Sequence, residues 1–205
     1  MKIDLHCHSK YSHDNDLGPE ELIQQALKRG LDGVCFTEHH SFMASLPVER
    51  IKRPEHFLVL RGLEISTDMG HMLVYGLKDD SWNRWSRNND LDLFEVMEAV
   101  HDLGGICVAA HPFRDHDSFG GRLYKVEGFD AVETHNGLNS EQDTRQSLQA
   151  AHMKGLPSTG GSDCHNKRQV GLTFTEFDNP VKSIEDLVEE IREGNCRGRE
   201  DRRQL

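Results

Sequence analysis

The sequence predicts an α/β fold whose strands form a mostly parallel sheet that curls into a barrel. Seven short β-rich runs alternate with segments of helical periodicity, the pattern of strand–helix units. Side chains that can bind metals fall at the ends of many of these runs, and they converge on one point only if the sheet curls. The length of 205 residues suits one domain.

Seven strands are predicted from runs rich in β-branched and aromatic residues. In chain order they cover residues 3–8, 33–39, 57–66, 71–77, 106–113, 131–136 and 157–163. Long polar loops are expected over residues 78–90 and 114–125. We expect a single domain over residues 1–196 and a basic, frayed tail over 197–205, since this end carries four Arg and no apolar residue before its last position.

Four helices are predicted between the strands. The first begins at Gly18-Pro19 and ends at Gly30, and its apolar face is Leu22, Ile23, Ala26 and Leu27. The second runs from Asp92 to Leu103, with an apolar face of Leu93, Phe94, Val96, Met97 and Val100. The third starts at residue 139 or 140 and stops at Gly155. The fourth is capped by Ser183 and presents Ile184, Leu187, Val188 and Ile191.

Composition excludes several classes of protein. Asp and Glu (35) outnumber Lys and Arg (24), and the net charge of -11 provides no field for holding long nucleic acid. The N-terminal residues contain no apolar signal core and the longest apolar run is residues 106–110, so a membrane partner is not expected. Five dispersed Cys without a CxxC pair indicate free thiols and a cytoplasmic location. The oligomeric state is left open.

Histidine is abundant, at 13 residues, and its placement predicts a metal site. Three pairs are spaced two residues apart on predicted strands, so each pair shares one face: His6 with His8, Glu133 with His135, and Asp163 with His165. The intervening Cys7 and Cys164 point the other way and are poor ligand candidates. A site built from imidazole and carboxylate suits Zn, Mn or Fe.

Further candidate ligands lie on the other predicted strands: His39, Glu64, His71 and His111. A carboxylate such as that of Glu64 can bridge two ions, which favours two or three divalent metal ions over one. Such a centre implies activated water and an anionic substrate. Arg114 could grip a phosphate with its planar guanidinium, while Lys10 and Arg168 are weaker candidates in rim loops. Glu133 and His135 could orient ligands, contact substrate or be structural.

The motifs resemble those of the polymerase and histidinol phosphatase (PHP) superfamily of metal-dependent phosphoesterases. They are, in order, DLHCHSKYSHD, FTEHHS, GLEIS, GHMLVYG, AAHPFR, AVETHNG and GSDCH, and the resemblance spans residues 3 to about 171. It implies a distorted (β/α)7 barrel with a trinuclear metal centre at the carboxyl-terminal rim of the strands. The implied first ion is held by His6, His8, Glu64 and Asp163, the second by Glu64, His71 and His111, and the third by His13, His39 and His165.

Two positions depart from the family pattern. Many members have Asp where His13 stands, and the usual Thr-Asp-His triplet is Thr37-Glu38-His39 here. His13 can still bind the third ion, and Glu38 directly precedes the candidate ligand His39. The predicted third site is therefore kept.

The resemblance and the number of ligands together predict an enzyme that hydrolyses a small phosphate monoester, such as a histidinol-phosphate-like or nucleotide-like compound. Glu64, Asp163 and His165 are the candidate catalytic residues, with Arg114, Lys10, His135 and Arg168 contacting the substrate. Two alternatives remain: a metal-binding PHP module without catalysis, and a hydrolase of a cyclic phosphodiester or an amide.

Overall fold

The computed structural model describes residues 1–84 and 91–201, which form a mixed α/β fold with two five-stranded sheets. The first sheet has the order β10-β9-β1-β2-β3 and the second β4-β5-β6-β7-β8. The strands are β1 (Lys2–Cys7), β2 (Gly33–Phe36), β3 (Leu58–Arg61), β4 (Leu63–Ser66), β5 (His71–Tyr75), β6 (Ile106–Ala109), β7 (Ala131–Asn136), β8 (Ser158–Gly161), β9 (Thr173–Phe177) and β10 (Cys196–Glu200).

The strand pairings correct the prediction of a mostly parallel sheet. Strands β1-β2, β2-β3, β6-β7 and β7-β8 pair parallel, whereas β1-β9, β9-β10, β4-β5 and β5-β6 pair antiparallel. Isolated bridges between Cys7 and Cys164 and between His39 and Glu64 connect the two sheets. The hydrogen-bonded ladders within the described ranges do not form one closed ring, so the predicted (β/α)7 barrel is not confirmed.

Gly62 separates β3 from β4 within what the sequence predicts as a single strand. A Cβ at Gly62 would lie 2.7 Å from the carbonyl oxygen of Val74, so only glycine lets the backbones approach here. The chain passes at this point from the first sheet to the second. This crossing carries Glu64 to the end of β2, beside His39.

All four predicted helices are present: α1 (Pro19–Lys28), α2 (Leu93–Asp102), α3 (Glu141–Lys154) and α4 (Ile184–Arg192). The side chains of Asp92 and Ser183 accept hydrogen bonds from backbone amides at the starts of α2 and α4. Ser140 forms a reciprocal capping box with Asp143 at the start of α3. The predicted apolar face of α2 is buried except for Phe94, which is 53% exposed. Two 3₁₀ segments, Met43–Arg50 and Gly120–Tyr124, lie in connections for which no helix is predicted.

The carboxyl end of the described chain corrects another prediction, because residues 197–200 belong to β10 rather than to a frayed tail. Arg197 and Arg199 each donate from Nε to Glu176 Oε2 on β9, at 3.1 and 2.9 Å. Gly198 lies against Thr159 of β8, where a Cβ would meet a carbonyl oxygen at 2.4 Å. Residues 202–205 and part of the predicted loop over 78–90 lie outside the described residues.

Among the described residues, the buried hydrophobic side chains form three clusters. Cys7 and Cys164 are fully buried in a cluster with the α1 side chains Leu22, Ile23 and Ala26, as strand alternation predicts. All five cysteines are free. Among the described helices, none combines the length and the apolar character needed to cross a bilayer.

Candidate metal centre

The candidate ligands gather where β1, β2, β6 and β8 end and where β4 and β5 meet. His6 lies on β1 and His8 follows it, His39 follows β2, and Glu64 lies on β4 opposite Leu73 of β5. His71 opens β5, while His111 and Asp163 come two residues after β6 and β8. The structure resolves these side chains into three groups in which ligand atoms lie within 4.8 Å of one another.

The first group is His6, His8 and Glu64, with Asp163 beside them. The Nε2 atoms of His6 and His8 are 3.0 Å apart and lie 3.4 and 3.2 Å from Glu64 Oε2. Asp163 Oδ1 lies 3.6 and 3.4 Å from the same two nitrogens. Two imidazole nitrogens and two carboxylate oxygens thus face one point, and this donor set fits Zn, Mn or Fe.

The second group shares Glu64 with the first. Its Oε1 atom lies 2.9 Å from His71 Nδ1 and 3.0 Å from His111 Nε2, while its Oε2 atom faces the first group. Glu64 is 1% exposed, so neither oxygen is available to bulk water. The two oxygens of one buried carboxylate therefore point into two ligand groups, which is the geometry of a bridging ligand.

The third group is Asp14, His39 and His165. Asp14 Oδ2 lies 3.2 Å from His39 Nε2 and 3.1 Å from His165 Nε2. His13, the residue that the resemblance places in this group, is exposed, and its ring centroid lies 5.3 Å from that of His39. The next residue along the chain, Asp14, takes its place among the ligand atoms that lie within 4.8 Å of one another.

The third group gives a direct mutational prediction. Asp14→Asn should weaken metal binding at this group by about ten- to a hundredfold, because the amide cannot supply a charged oxygen to a metal ion held by the two imidazoles. His13→Ala should leave metal content within error of the parent. Elemental analysis of both variants after identical growth checks this, and a loss of metal in His13→Ala with none in Asp14→Asn would restore the original assignment.

The buried charges of the first group depend on one another. Burial by itself lowers the pKa of His6, but the carboxylates Asp163, Glu133 and Glu64 offset this and raise it well above its usual value. The pKa of His8, likewise lowered by burial alone, is raised to about 10 by hydrogen bonds to Asp163 and Glu64. Without a metal, protons therefore balance the carboxylates, and a metal ion must displace them to bind.

The carboxylates show the complementary effect. Burial tends to raise the pKa of Glu64, yet the neighbouring imidazoles of His6, His111 and His71 hold it well below its usual range. The pKa of Asp163 is also lowered well below its usual range, because His6 and His8 outweigh the effect of burial. In contrast, burial lowers the pKa of His39 to about 4, so this imidazole is neutral and ready to ligate.

A partner behind the first group orients His6. Glu133 Oε1 lies 2.9 Å from His6 Nδ1, which leaves Nε2 free to face the metal position. Glu133 Oε2 accepts hydrogen bonds from the amide of His111 at 2.8 Å and from Asn136 Nδ2 at 3.0 Å. Asn136 also donates to Asp163 Oδ2 at 3.2 Å. Asn136 is not predictable as a site residue from the sequence, since an amide at a strand end gives no specific signal.

His135, predicted as a substrate contact, lies outside the three ligand groups. The pairing of β7 with β8 shifts register between Glu133 and His135, and this irregularity breaks the two-residue alternation. The His135 ring accordingly lies beside Thr134 Oγ1, at 2.8 Å, and next to Gly198 of β10. Spacing alone could not reveal the irregularity.

The basic candidates are placed differently from one another. Arg114 is 15% exposed and donates from Nη1 to Asp163 Oδ2 at 2.8 Å, with Nη2 3.3 Å from His111 Nε2. Its Nε is buried and has no hydrogen-bond partner in the described structure. Lys10 and Arg168 are exposed, and no hydrogen bond or ion pair found among the described residues joins either side chain to the ligand groups.

Two ligands lie on backbone in the left-handed region. His111 has φ of 26° and Asp163 has φ of 52°, conformations that non-glycine residues adopt only when their surroundings hold them. The amide of His111 is held by Glu133, and the amide of Asp163 donates to the carbonyl of His6 at 2.7 Å. The strained turns after β6 and β8 direct both side chains toward Glu64.

Comparison with known proteins supports the resemblance seen in the motifs. The model of the PHP-associated family PHP_C matches residues 141–196. A histidinol-phosphatase from Lactococcus lactis is 33% identical over 52% of this chain and 42% of its own length, so the chain spans about two fifths of that relative. The uncharacterized protein MJ1587 of Methanocaldococcus jannaschii is 26% identical over 69% of this chain and 85% of that protein.

Solved structures share the fold. PsfC from Pseudomonas syringae superposes with a TM-score of 0.77 at 17% identity, covering 98% of this chain and 92% of PsfC. A two-domain protein from Bacteroides vulgatus, containing a predicted PHP-like metal-dependent phosphoesterase, gives a TM-score of 0.73 at 20% identity over 97% of this chain and 64% of that one. At these identities the likeness concerns the fold alone.

The fold and the ligand groups define an α/β protein with clustered His and carboxylate ligands of the kind found in metal-dependent hydrolases. The family match and the curated relatives confirm the resemblance to the PHP superfamily of metal-dependent phosphoesterases.

Proposed function

We propose that the chain is a metal-dependent phosphoesterase that hydrolyses a small phosphate monoester with two or three divalent ions, Mn, Fe or Zn. The observation that carries the proposal is Glu64, whose two buried oxygens face two separate imidazole groups. A module that merely holds one structural ion has no need of such a shared carboxylate. The ligand groups are also complete, whereas a degenerate, non-catalytic module would have lost ligands.

When bound, the ions would polarise the phosphoryl oxygens and lower the pKa of water to supply a nucleophile near neutral pH. The chain's own residues hold and orient this arrangement. His6, His8 and Asp163 would ligate the first position and His71 with His111 the second, while Glu64 joins the two. Asp14, His39 and His165 would ligate the third.

Asp163 and His165 would also assist with protons during hydrolysis. His165 is 32% exposed in its side chain, so it lies on the open side of the cleft. Its Nδ1 lies 3.0 Å from the carbonyl oxygen of Asp163, and a proton there directs Nε2 toward Asp14. Asp163 links the first group to Arg114 through its second oxygen.

Arg114 is the residue that we assign to the phosphate. Its guanidinium is already positioned beside Asp163 and His111, and its unpartnered Nε leaves a donor unused. A dianionic monoester presents terminal oxygens to the ions and to a planar guanidinium at the same time. A diester has fewer free oxygens, and an amide has none of comparable charge.

Arg114→Ala should lower kcat/KM on a phosphate monoester by about ten- to a hundredfold, the loss expected for one charge-assisted contact. Arg114→Lys should restore only part of the activity, because an ammonium cannot form two parallel hydrogen bonds. Metal content measured on the same samples should match the parent, since Asp163 Oδ1 remains with the first group. Full activity of Arg114→Ala on every monoester tested would refute the assignment.

A cavity of about 530 Å³ adjoins Arg114 and has room for the leaving group. The loop after β6 and the start of α3 line it, with Phe113, Leu138, Gln142 and Gln146 among its residues. Both elements follow the carboxyl ends of their strands, on the side where the ligand groups lie. Asp115, His116 and Asp143 also line it, and this mixture of apolar, amide and charged groups suits an organic moiety of histidinol or nucleoside size better than free inorganic phosphate.

The test is metal reconstitution followed by a substrate screen. The protein is stripped with a chelator, reloaded separately with Mn, Fe or Zn, and assayed on phosphate monoesters, cyclic and linear phosphodiesters, and amides. Metal-dependent turnover confined to monoesters is the expected outcome. Turnover of a diester or an amide with no monoester activity would favour the alternative hydrolase, and stable metal binding without turnover of any class would favour the non-catalytic module.

A further inference from the structure

A second carboxylate lies behind the first ligand group and belongs to none of the three. Glu38 precedes His39 just after the end of β2, and Glu38 is fully buried. It accepts hydrogen bonds from Ser9 N at 3.1 Å, Ser9 Oγ at 2.5 Å and Ser12 Oγ at 2.6 Å. Three donors surround its two oxygens, an environment suited to a carboxylate, which only accepts hydrogen bonds.

Ser12 connects this carboxylate to His8. A hydroxyl group has one proton, and Ser12 gives it to Glu38, so its oxygen must accept from its other neighbours. One of these is His8 Nδ1 at 3.2 Å, and another is the amide of His39 at 3.3 Å. A proton therefore resides on Nδ1 of His8, and its Nε2 atom, which faces Glu64 and Asp163, is the one that gives up its proton to a metal ion.

We propose that Glu38 is a positioning residue that fixes the tautomer and ring orientation of His8 through Ser12. The arrangement matches that of the opposite imidazole, where Glu133 contacts His6 Nδ1 directly. Each of the two facing imidazoles thus has its own carboxylate, one in direct contact and one through a serine hydroxyl. The two Nε2 atoms are only 3.0 Å apart, so a metal ion at this point requires the lone pairs of both.

The same contacts order the loop that carries the third group. Ser9 and Ser12 lie between His8 and Asp14, and Glu38 holds both. Asn15 secures the far side of this loop by donating to the carbonyls of His8 and Cys164 at 2.9 and 3.0 Å. Glu38 therefore supports His8 and helps to place Asp14. The inference rests on the metal-binding part of the proposed function and is independent of the substrate.

The test compares Glu38→Gln, Glu38→Asp and Ser12→Ala with the parent, using zinc as the probe. Competition with a chelator gives the zinc affinity, and long-range ¹H–¹⁵N spectra of the zinc-loaded protein show which ring nitrogen of His8 binds zinc. Glu38→Gln and Ser12→Ala should each weaken zinc binding by about ten- to a hundredfold and replace the single form bound through Nε2 by a mixture of ring forms. Glu38→Asp should recover part of the affinity.

Asp130→Asn is the matched control, because Asp130 lies outside the three groups and also accepts hydrogen bonds from a backbone amide and a side chain. The donors are Cys107 N at 2.8 Å and His101 Nε2 at 2.9 Å. It should cost stability without changing the His8 spectrum. Parent-like affinity and spectrum in both Glu38→Gln and Ser12→Ala would overturn the proposal. A loss of zinc affinity in Glu38→Gln with none in Ser12→Ala would also overturn it, since Glu38 would then act on His8 without the Ser12 hydroxyl. If Glu38→Gln fails to fold, the zinc affinity and the His8 spectrum of Ser12→Ala decide, and parent-like values overturn the proposal.

Discussion

Glu64→Gln is expected to lower kcat/KM on a phosphate monoester by about a thousandfold or more, with loss of more than one metal ion. The substitution keeps the size of the side chain but removes the charge shared by five imidazoles, those of His6, His8, His39, His71 and His111. One amide oxygen cannot serve two groups at once, and the amide nitrogen would point a donor at the other group.

Glu133→Gln is the matched control for this variant. Glu133 is equally buried but contacts His6 from behind, so its loss should cost about ten- to a hundredfold and leave the metal ions bound. Kinetics and metal content of the two variants give the comparison. If Glu64→Gln retained its metals and lost no more activity than Glu133→Gln, the bridging role would be wrong.

Gly161→Ala is expected to have the largest effect on stability. A Cβ at Gly161 would lie 2.3 Å from the Cβ of His6 and 2.4 Å from its amide nitrogen, so β8 and β1 would have to separate. Backbone atoms cannot yield as a flexible side chain can, and we expect the free energy of unfolding to fall by about 3 kcal/mol. Because the displaced residue is a ligand, zinc affinity should fall with it.

Gly121→Ala provides the comparison, since a Cβ there meets no atom within 4 Å and the residue lies in a short 3₁₀ segment. Denaturant unfolding of metal-free samples separates the packing effect from the stabilisation that bound metal provides. Equal stability of the two variants would show that β1 and β8 can adjust, and that the close approach at Gly161 is not required.

The helices and most strands could be predicted because their patterns are local. Asp92 and Ser183 are capping residues in the sequence and in the structure, and the apolar face of α4 is buried as its periodicity indicates. Strands β9 and β10 have no counterpart among the predicted strands. Strand β10 reads as a charged tail in the sequence, and its arginines lie along a strand because β10 pairs antiparallel with β9, whose Glu176 accepts hydrogen bonds from both.

The candidate site shows where pattern reasoning stops. The spacing of two residues places His6 and His8 in one group, yet the same spacing fails for Glu133 and His135 because the β7-β8 pairing is irregular. The choice of Asp14 over His13 depends on how the loop after β1 folds, which in turn depends on buried contacts to Glu38. Side-chain chemistry can be read from the sequence, but the direction of a side chain after a strand ends cannot.

The three ligand groups together should hold several metal ions at once. Elemental analysis of the purified protein, after growth in medium supplemented with Mn, Fe and Zn and purification without chelators, counts these ions. The three groups, two of them sharing Glu64, predict between two and three equivalents per chain. Less than one equivalent, in protein whose circular dichroism shows it to be folded, would rule out a centre of several ions.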